Sequence, residues 1–153
     1  VYKPKLFKLF QDCYQPMSFR KYIRFSISAL RGSRIIYMEV DGETVGYCLL
    51  EPGGGRYKNL NKSDLVISPY VIREDLRGKG YGTRILKDVV SLVGEKQIIF
   101  AIVKKDNCAS LHAMEKAGYI YKTNANIVGL LRKYVFGDDA NYEYNVYSSC
   151  IVE

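Results

Sequence analysis

Between Asp64 and Val103 the hydrophobic period of the chain changes twice, and this limits the fold more than any other feature of the sequence. Asp64 to about Arg73 reads as a strand. From Gly78 to Val93 the residues Ile85, Leu86, Val89, Val90, Leu92 and Val93 recur at helical spacing. Gln97 to Val103 is then a nearly continuous apolar run, as in a strand buried on both faces. Strand, helix and strand in that order predict a crossover between parallel neighbours.

The first strand meets the helix through Arg77-Gly78-Lys79-Gly80-Tyr81-Gly82-Thr83. The first N–H groups of a helix have no partner within it, so such a turn is a ready anion site. Gly80 and Gly82 have no side chain to hold a pyrophosphate off the backbone, and Lys79 brings a positive charge near it. Glycine also serves tight turns for conformation alone, so this feature by itself leaves both readings open. Two phosphate motifs are excluded. The P-loop needs four residues between its glycines and a following Lys-Ser/Thr, and the dinucleotide fingerprint needs a third glycine with an acidic residue about twenty positions on.

Other elements flank this unit. Leu6, Phe7, Leu9 and Phe10 predict a helix from Lys3 to Tyr14, stopped by Pro16, and Ser18 caps a second helix through Leu30 with Gly32 at its end. Ile35 to Val40 and Thr44 to Leu50 flank Asp41-Gly42, which predicts an antiparallel hairpin. Pro52 to Lys62 holds too many breakers for regular structure and reads as a surface loop. Asn107 caps a helix that ends at Gly118, Tyr119-Ile120-Tyr121 opens a strand, residues 125–138 fit neither period, and a last strand runs from about Tyr142 to Ser149. A strand edge exposed near the C-terminus would suit a homodimer.

The 153 residues, 48% hydrophobic and 25% charged, predict one globular domain over 1–153. Neither an apolar run of about 18 residues nor a signal peptide is seen, so a soluble cytoplasmic protein without a membrane partner is expected. Cys13, Cys48, Cys108 and Cys150 form no Cys-x-x-Cys pair and His112 is the only histidine, too few clustered ligands for a zinc cage; the thiols read as reduced core residues and no metal is expected. The net charge of +7 favours an anionic partner, but the basic residues are dispersed, which disfavours nucleic acid.

In this setting Leu65 to Leu86 resembles motif A of the GNAT family of N-acetyltransferases, whose Arg/Gln-x-x-Gly-x-Gly/Ala reads here as Arg77-x-x-Gly80-x-Gly82. Asn107-Cys108-Ala109-Ser110 and Glu115-Lys116-Ala117-Gly118-Tyr119 resemble a second family motif downstream. The resemblance spans nearly the whole chain and is weakest from residue 125 onward. It implies an α/β (α+β) three-layer sandwich, with a mixed, mostly antiparallel sheet splayed between the family's strands four and five and flanked by helices. Acetyl-coenzyme A is the implied co-substrate. Its pantetheine arm would lie beside Tyr70, Val71 and Ile72, its pyrophosphate in the cradle of Gly78 to Thr83 behind Arg77, with Asn107 and Ser110 also in contact. An amine would be the acceptor, reacting by direct attack in a ternary complex.

Acyl transfer from a thioester to an amine needs a deprotonated amine, a donor to the oxyanion and a proton for the departing thiolate. The acid common in the family is a tyrosine seven residues after the motif asparagine, a position held here by Met114. Asn107, Ser110 and Met114 share a helical face, which makes Ser110 the nearest hydroxyl and the candidate catalytic residue, with close helix packing as its structural alternative. The strand positions where the family often keeps a base hold Ser68 and Val66, so no base is assigned; Tyr70, Asp64 and Glu43 are the residues able to relay a proton through water. Cys108 reads as core and His112 as lying off the Ser110 face. The tyrosines of the last strand, among them Tyr142, Tyr144 and Tyr147, fit either an acceptor pocket or sheet packing.

Overall fold

The computed structural model describes residues 32–55, 57–94, 96–124 and 143–149. The two helices expected before Gly32 and the stretch 125–138 lie outside the described residues, as do Cys13, Cys150 and Tyr142. Six strands form one sheet: β1 (Arg34–Val40), β2 (Glu43–Pro52), β3 (Leu65–Ile72), β4 (Ile99–Lys104), β5 (Ile120–Asn124) and β6 (Tyr144–Ser148). The order across the sheet is β1-β2-β3-β4-β6-β5. Only β3 and β4 run parallel; the other four pairings are antiparallel.

The hairpin β1–β2 turns through Asp41 and Gly42, with φ of 53° and 78°, the paired positive values that match the twist of the strands it joins. The crossover from β3 to β4 carries helix α1 (Tyr81–Val93), whose Ile85, Leu86 and Val89 are buried. A thirteen-residue helix is marginal alone. Those three side chains, each contributing about 1.5–3 kcal/mol on burial, hold it on the sheet. Helix α2 (Cys108–Lys116) begins where Asn107 Oδ1 accepts from Ser110 N at 3.2 Å, and Gly118 follows it at a φ of 88°. The Tyr119 hydroxyl then donates to the Leu86 carbonyl at 3.3 Å, tying the end of α2 to α1.

Strand alternation sorts the core into two faces. Leu65, Ile67, Ile99, Ala101, Val103 and Tyr147 pack with α1 and α2, while Val66, Phe100, Tyr144 and Val146 point the other way. That β4 feeds both faces explains its unbroken apolar run. The second face corrects the reading of Pro52 to Lys62 as a surface loop: Pro52 ends β2, a Gly54–Tyr57 bridge follows, and Tyr57 and Leu60 are buried against Val66 and Phe100. A buried carboxylate, Glu51, accepts the Tyr57 hydroxyl at 2.8 Å, which satisfies the phenol. The cysteine expectation also divides. Cys48 is buried, whereas Cys108, in the first turn of α2, is exposed. Among the described residues no helix is long and apolar enough to cross a membrane.

Gly46 on β2 stands opposite Ile72. A Cβ there would collide with the Val71 carbonyl oxygen and lie 2.7 Å from Ile72 Cδ1. Because the obstacle includes backbone, the strand cannot yield by a rotamer change. Gly46→Ala is expected to cost about 1–3 kcal/mol and to lower the melting temperature by roughly 2–10 °C. Calorimetry checks this, and an unchanged melting temperature would show that β3 moves aside freely.

Candidate active site

β3 and β4 pair at Leu65–Ile99, Val66–Phe100 and Ile67–Ala101 and nowhere beyond, although both strands continue in the same direction. The cause lies on the opposite edge of β3. Its ladder with β2 passes from Leu50–Ile67 to Cys48–Tyr70, so Ser68 and Pro69 together oppose Leu49. This is a β-bulge, which bends the strand that carries it. Pro69 also has no N–H to offer a neighbour. Beyond the bulge β3 and β4 diverge.

The ladder phase shows what β3 presents to the gap. Arg73 N donates to Val45 O at 2.9 Å, and Val71 stands opposite Tyr47. By antiparallel alternation Val71 and Arg73 turn their backbone groups to β2, and Tyr70 and Ile72 turn theirs into the gap. Of the three residues expected beside a pantetheine arm, Tyr70 therefore turns both backbone groups to the gap and Ile72 leaves its N–H open there, its carbonyl being taken by Arg77; those of Val71 are committed to β2. Arg77 reaches back over the far end of the gap, its Nε donating to the Ile72 carbonyl at 3.3 Å while much of the guanidinium stays in solvent.

The glycine turn lies directly after. Arg77 N is the last amide before the helix with a backbone acceptor, Glu74 O at 3.2 Å, and Arg84 N is the first within it, bonded to Gly80 O at 3.1 Å. The amides from Gly78 to Thr83 are left between them without backbone acceptors, at the positive end of α1. Lys79 is exposed beside them, and Tyr81 and Thr83 are half-buried.

The three glycines have separate reasons. Gly78 and Gly80 take φ of 77° and 83°, so conformation alone calls for glycine there, and an added Cβ would meet nothing within 4 Å. Gly82 has no positive φ and no forbidding contact. A Cβ on it would stand 3.6 Å from Tyr70 Cε2 and 3.8 Å from Ile72 Cγ1, over the two residues that open into the gap. The free amides thus adjoin the end of β3 whose edge is open, and residue 82 lies against Tyr70 and Ile72 of that strand.

Helix α2 delivers Ser110 to the same place. Its side chain is half-buried, on the side of α2 toward Tyr70 of β3. Burial pushes the Tyr70 phenol above its ordinary pKa, the Ser110 hydroxyl works against that rise, and the Cys48 thiol adds to it. Cys48 itself is pushed up to about 12 by burial and stays a neutral thiol. Asn107 is exposed, with its carboxamide oxygen taken as the helix cap, so it serves the site by fixing the start of α2. Met114 is fully buried in the core, which closes the position of the family's usual acid. His112 is exposed.

The other residues considered for proton relay have structural partners. Asp64 is buried at the start of β3, away from the gap, and accepts Asn61 N at 2.9 Å; Glu43 pairs with Arg73 at 3.1 Å. The Tyr147 hydroxyl donates to Glu115 at 3.4 Å. Among the described residues no group of three or more His, Cys, Asp and Glu could hold a metal ion.

This architecture has relatives. Residues 3–119 match the model of the acetyltransferase (GNAT) family. No curated relative matches the sequence. Among solved structures, the ribosomal-protein-S18-alanine N-acetyltransferase from Escherichia coli aligns over 98% of this chain and 90% of its own, with a TM-score of 0.63 and 14% identity. The aminoglycoside acetyltransferase AAC(6')-Ib in complex with coenzyme A aligns over 94% and 82%, with a TM-score of 0.65 and 17% identity. A Bacillus subtilis acetyltransferase in complex with coenzyme A aligns over 99% and 95%, with a TM-score of 0.66 and 11% identity. The bulge-opened strand pair, the amide cradle and the family match, which spans most of the sequence, lead to one conclusion: the chain belongs to the GNAT family of acetyltransferases.

Proposed function

We propose that the protein transfers the acetyl group of acetyl-coenzyme A to a primary amine of a small molecule, an amino sugar or a peptide, by direct attack within a ternary complex. The observation that carries this reading is Gly82. Neither its backbone nor its neighbours require glycine, and it stands among the free amides against Tyr70 and Ile72 on the open end of β3. An elongated ligand with an anionic end and an amide-bearing arm suits that arrangement: phosphate oxygens accept from Gly78 to Thr83, and the arm pairs with Tyr70 and Ile72 as an added strand would. Lys79 and Arg77 add positive charge at the anionic end. Two of the similar solved structures are coenzyme A complexes, which supports the assignment.

For the chemistry, the arm would bring the thioester toward Ser110 of α2. Ser110 then lies nearest the departing sulfur, and its hydroxyl is the group offered to it. A second reading has a specific observation behind it. Met114 is sealed in the core, and Ser68 and Val66 stand where the family often keeps a base, so the chain could bind coenzyme A without turnover.

Three outcomes test these readings. At about 100 times its dissociation constant, acetyl-coenzyme A should stabilise the fold by about 2.7 kcal/mol and raise the melting temperature by roughly 5–10 °C. No shift together with no calorimetric heat would remove the cofactor assignment. Gly82→Glu should weaken acetyl-coenzyme A binding by about a hundredfold or more, near 2.8 kcal/mol, yet leave the melting temperature of the free protein almost unchanged, because an acidic residue is favourable in the first turn of a helix. Undiminished affinity in that variant would sink the cradle. Ser110→Ala should lower kcat by about 10² or more with little change in KM for acetyl-coenzyme A, the pattern of an interaction made in the transition state. A rise in KM alone would mark Ser110 as a binding contact, and the absence of turnover in the parent protein with a broad amine panel would favour the binding module.

A further inference from the structure

Carboxylates weaken an anion cradle, and this chain sets two immediately ahead of its own. Glu74 and Asp75 stand in the short 3-10 turn Glu74–Leu76 that joins β3 to Arg77 and Gly78. From Asp75 to Gly78 the chain spans at most ~11 Å even when fully extended, about one Debye length at 0.1 M salt. A free carboxylate at Asp75 would therefore repel an anion held by the amides of Gly78 to Thr83, or pair with the cations beside them. The residue before the two acids is Arg73.

Each of these carboxylates has a partner. Glu74 Oε1 lies 4.0 Å from Arg77 Nη1, a loose contact between two side chains that stand mostly in solvent. Asp75 is held more closely. Arg73 Nε donates to its Oδ1 at 2.8 Å and Nη2 to its Oδ2 at 3.0 Å, so one guanidinium edge takes both carboxylate oxygens in a bidentate fork. The third nitrogen, Nη1, donates to Glu43 Oε2 at 3.1 Å, which gathers in a carboxylate from the start of β2. Arg73 is itself fixed through its backbone: its N–H donates to Val45 O at 2.9 Å, and its carbonyl accepts Leu76 N at 3.0 Å, the bond that closes the turn. Its side chain is 27% exposed, against 61% for Asp75 and 70% for Glu43, so the guanidinium is the enclosed member of the group. With all three nitrogens engaged, Arg73 is not offered to a ligand; Arg77 and Lys79 stand exposed at the cradle. The hydrogen bond from Arg73, and to a lesser degree the charge of Lys79, hold the Asp75 carboxyl below its ordinary range.

We propose that Arg73 is a positioning residue for the phosphates of the cofactor: it holds Asp75 and Glu43 away from the cradle, so that Arg77, Lys79 and the amides of Gly78 to Thr83 meet the pyrophosphate without a competing carboxylate. This rests on the acetyl-coenzyme A reading above. As exposed ion pairs the contacts add little to the stability of the fold. Their consequence is direction. Asp75, released from the fork, would turn to the next cations along the chain, Arg77 and Lys79, or stand unpaired beside the pyrophosphate. Either result lowers affinity for the phosphates and leaves the acetyl group untouched. A lysine at position 73 would supply the charge but could not hold both oxygens in a planar fork.

The test needs no acceptor. Coenzyme A binding is measured by calorimetry, and the melting temperature of the free protein alongside, for the parent, Arg73→Ala, Arg73→Lys, Asp75→Asn and the double variant Arg73→Ala/Asp75→Asn. Arg73→Ala should bind coenzyme A about five- to tenfold more weakly, the effect of an unpaired carboxylate within ~10 Å of a doubly charged pyrophosphate, with its melting temperature little changed. Arg73→Lys should fall between it and the parent. Asp75→Asn should bind at least as tightly as the parent, and the double variant should recover most of the affinity lost in Arg73→Ala. Neither a structural role nor a direct contact of Arg73 with phosphate gives that recovery. The loss in Arg73→Ala should also shrink as salt is raised. Where Arg73→Ala does not fold, Arg73→Lys compared with Arg73→Lys/Asp75→Asn reads the same recovery. If coenzyme A fails to bind the parent protein, the function and this assignment fall together. If it binds the parent and Arg73→Ala equally well, or if the double variant stays as weak as Arg73→Ala, the assignment of Arg73 alone is overturned and the cofactor reading stands.

Discussion

Among the described residues, three ladder pairs, Leu65–Ile99, Val66–Phe100 and Ile67–Ala101, join the β1-β2-β3 half of the sheet to the β4-β6-β5 half. Parallel neighbours joined by a helix ordinarily stay paired along their length, since unpaired backbone groups in a sheet interior are costly. Here the bulge at Ser68 and Pro69 turns β3 aside at the third pair. The backbone groups of Tyr70 and the N–H of Ile72 then face a cleft where water or a ligand can satisfy them, and the Ile72 carbonyl is satisfied by Arg77. The two halves are held instead by side chains: Leu65, Ile67, Ile99 and Ala101 share one apolar cluster with Ile85, Leu86 and Val89 of α1. The core does the joining, which frees the strand edges for binding.

The same economy of roles runs through the turn. Gly78 and Gly80 give the turn its positive-φ path, and Gly82 keeps a side chain away from Tyr70 and Ile72. These are different demands, conformation in the first two and space in the third, although all three read alike as letters. Arg77 shows a related division. Its Nε fastens the turn to the end of β3 through the Ile72 carbonyl, and the rest of its guanidinium remains exposed at the anionic end. A residue named by a motif as a ligand contact is here also a structural tie.

Much of this was legible in the sequence. The hairpin, the crossover, the cap at Asn107 and the end of α2 at Gly118 come from local patterns, namely positive-φ dipeptides, a change of period, a capping side chain and a helix stop, and each stands where such patterns put it. Burial set by distant partners was not legible. Tyr57 and Leu60 sit in a breaker-rich segment, and only the opposite faces of Val66 and Phe100 make them core. Cys108 read as core by residue type, but the first turn of α2 points it to solvent. The bulge had a local sign in Ser68-Pro69, since a strand proline without an N–H suits a bulge, yet its consequence, an opened parallel pair, depends on β4 running alongside.

Where a helix-borne tyrosine is the usual acid, Met114 fills the position and adds to the core that joins α1, α2 and the sheet. A phenol at Met114 would bring a hydroxyl into that apolar cluster, where it would need its own partner.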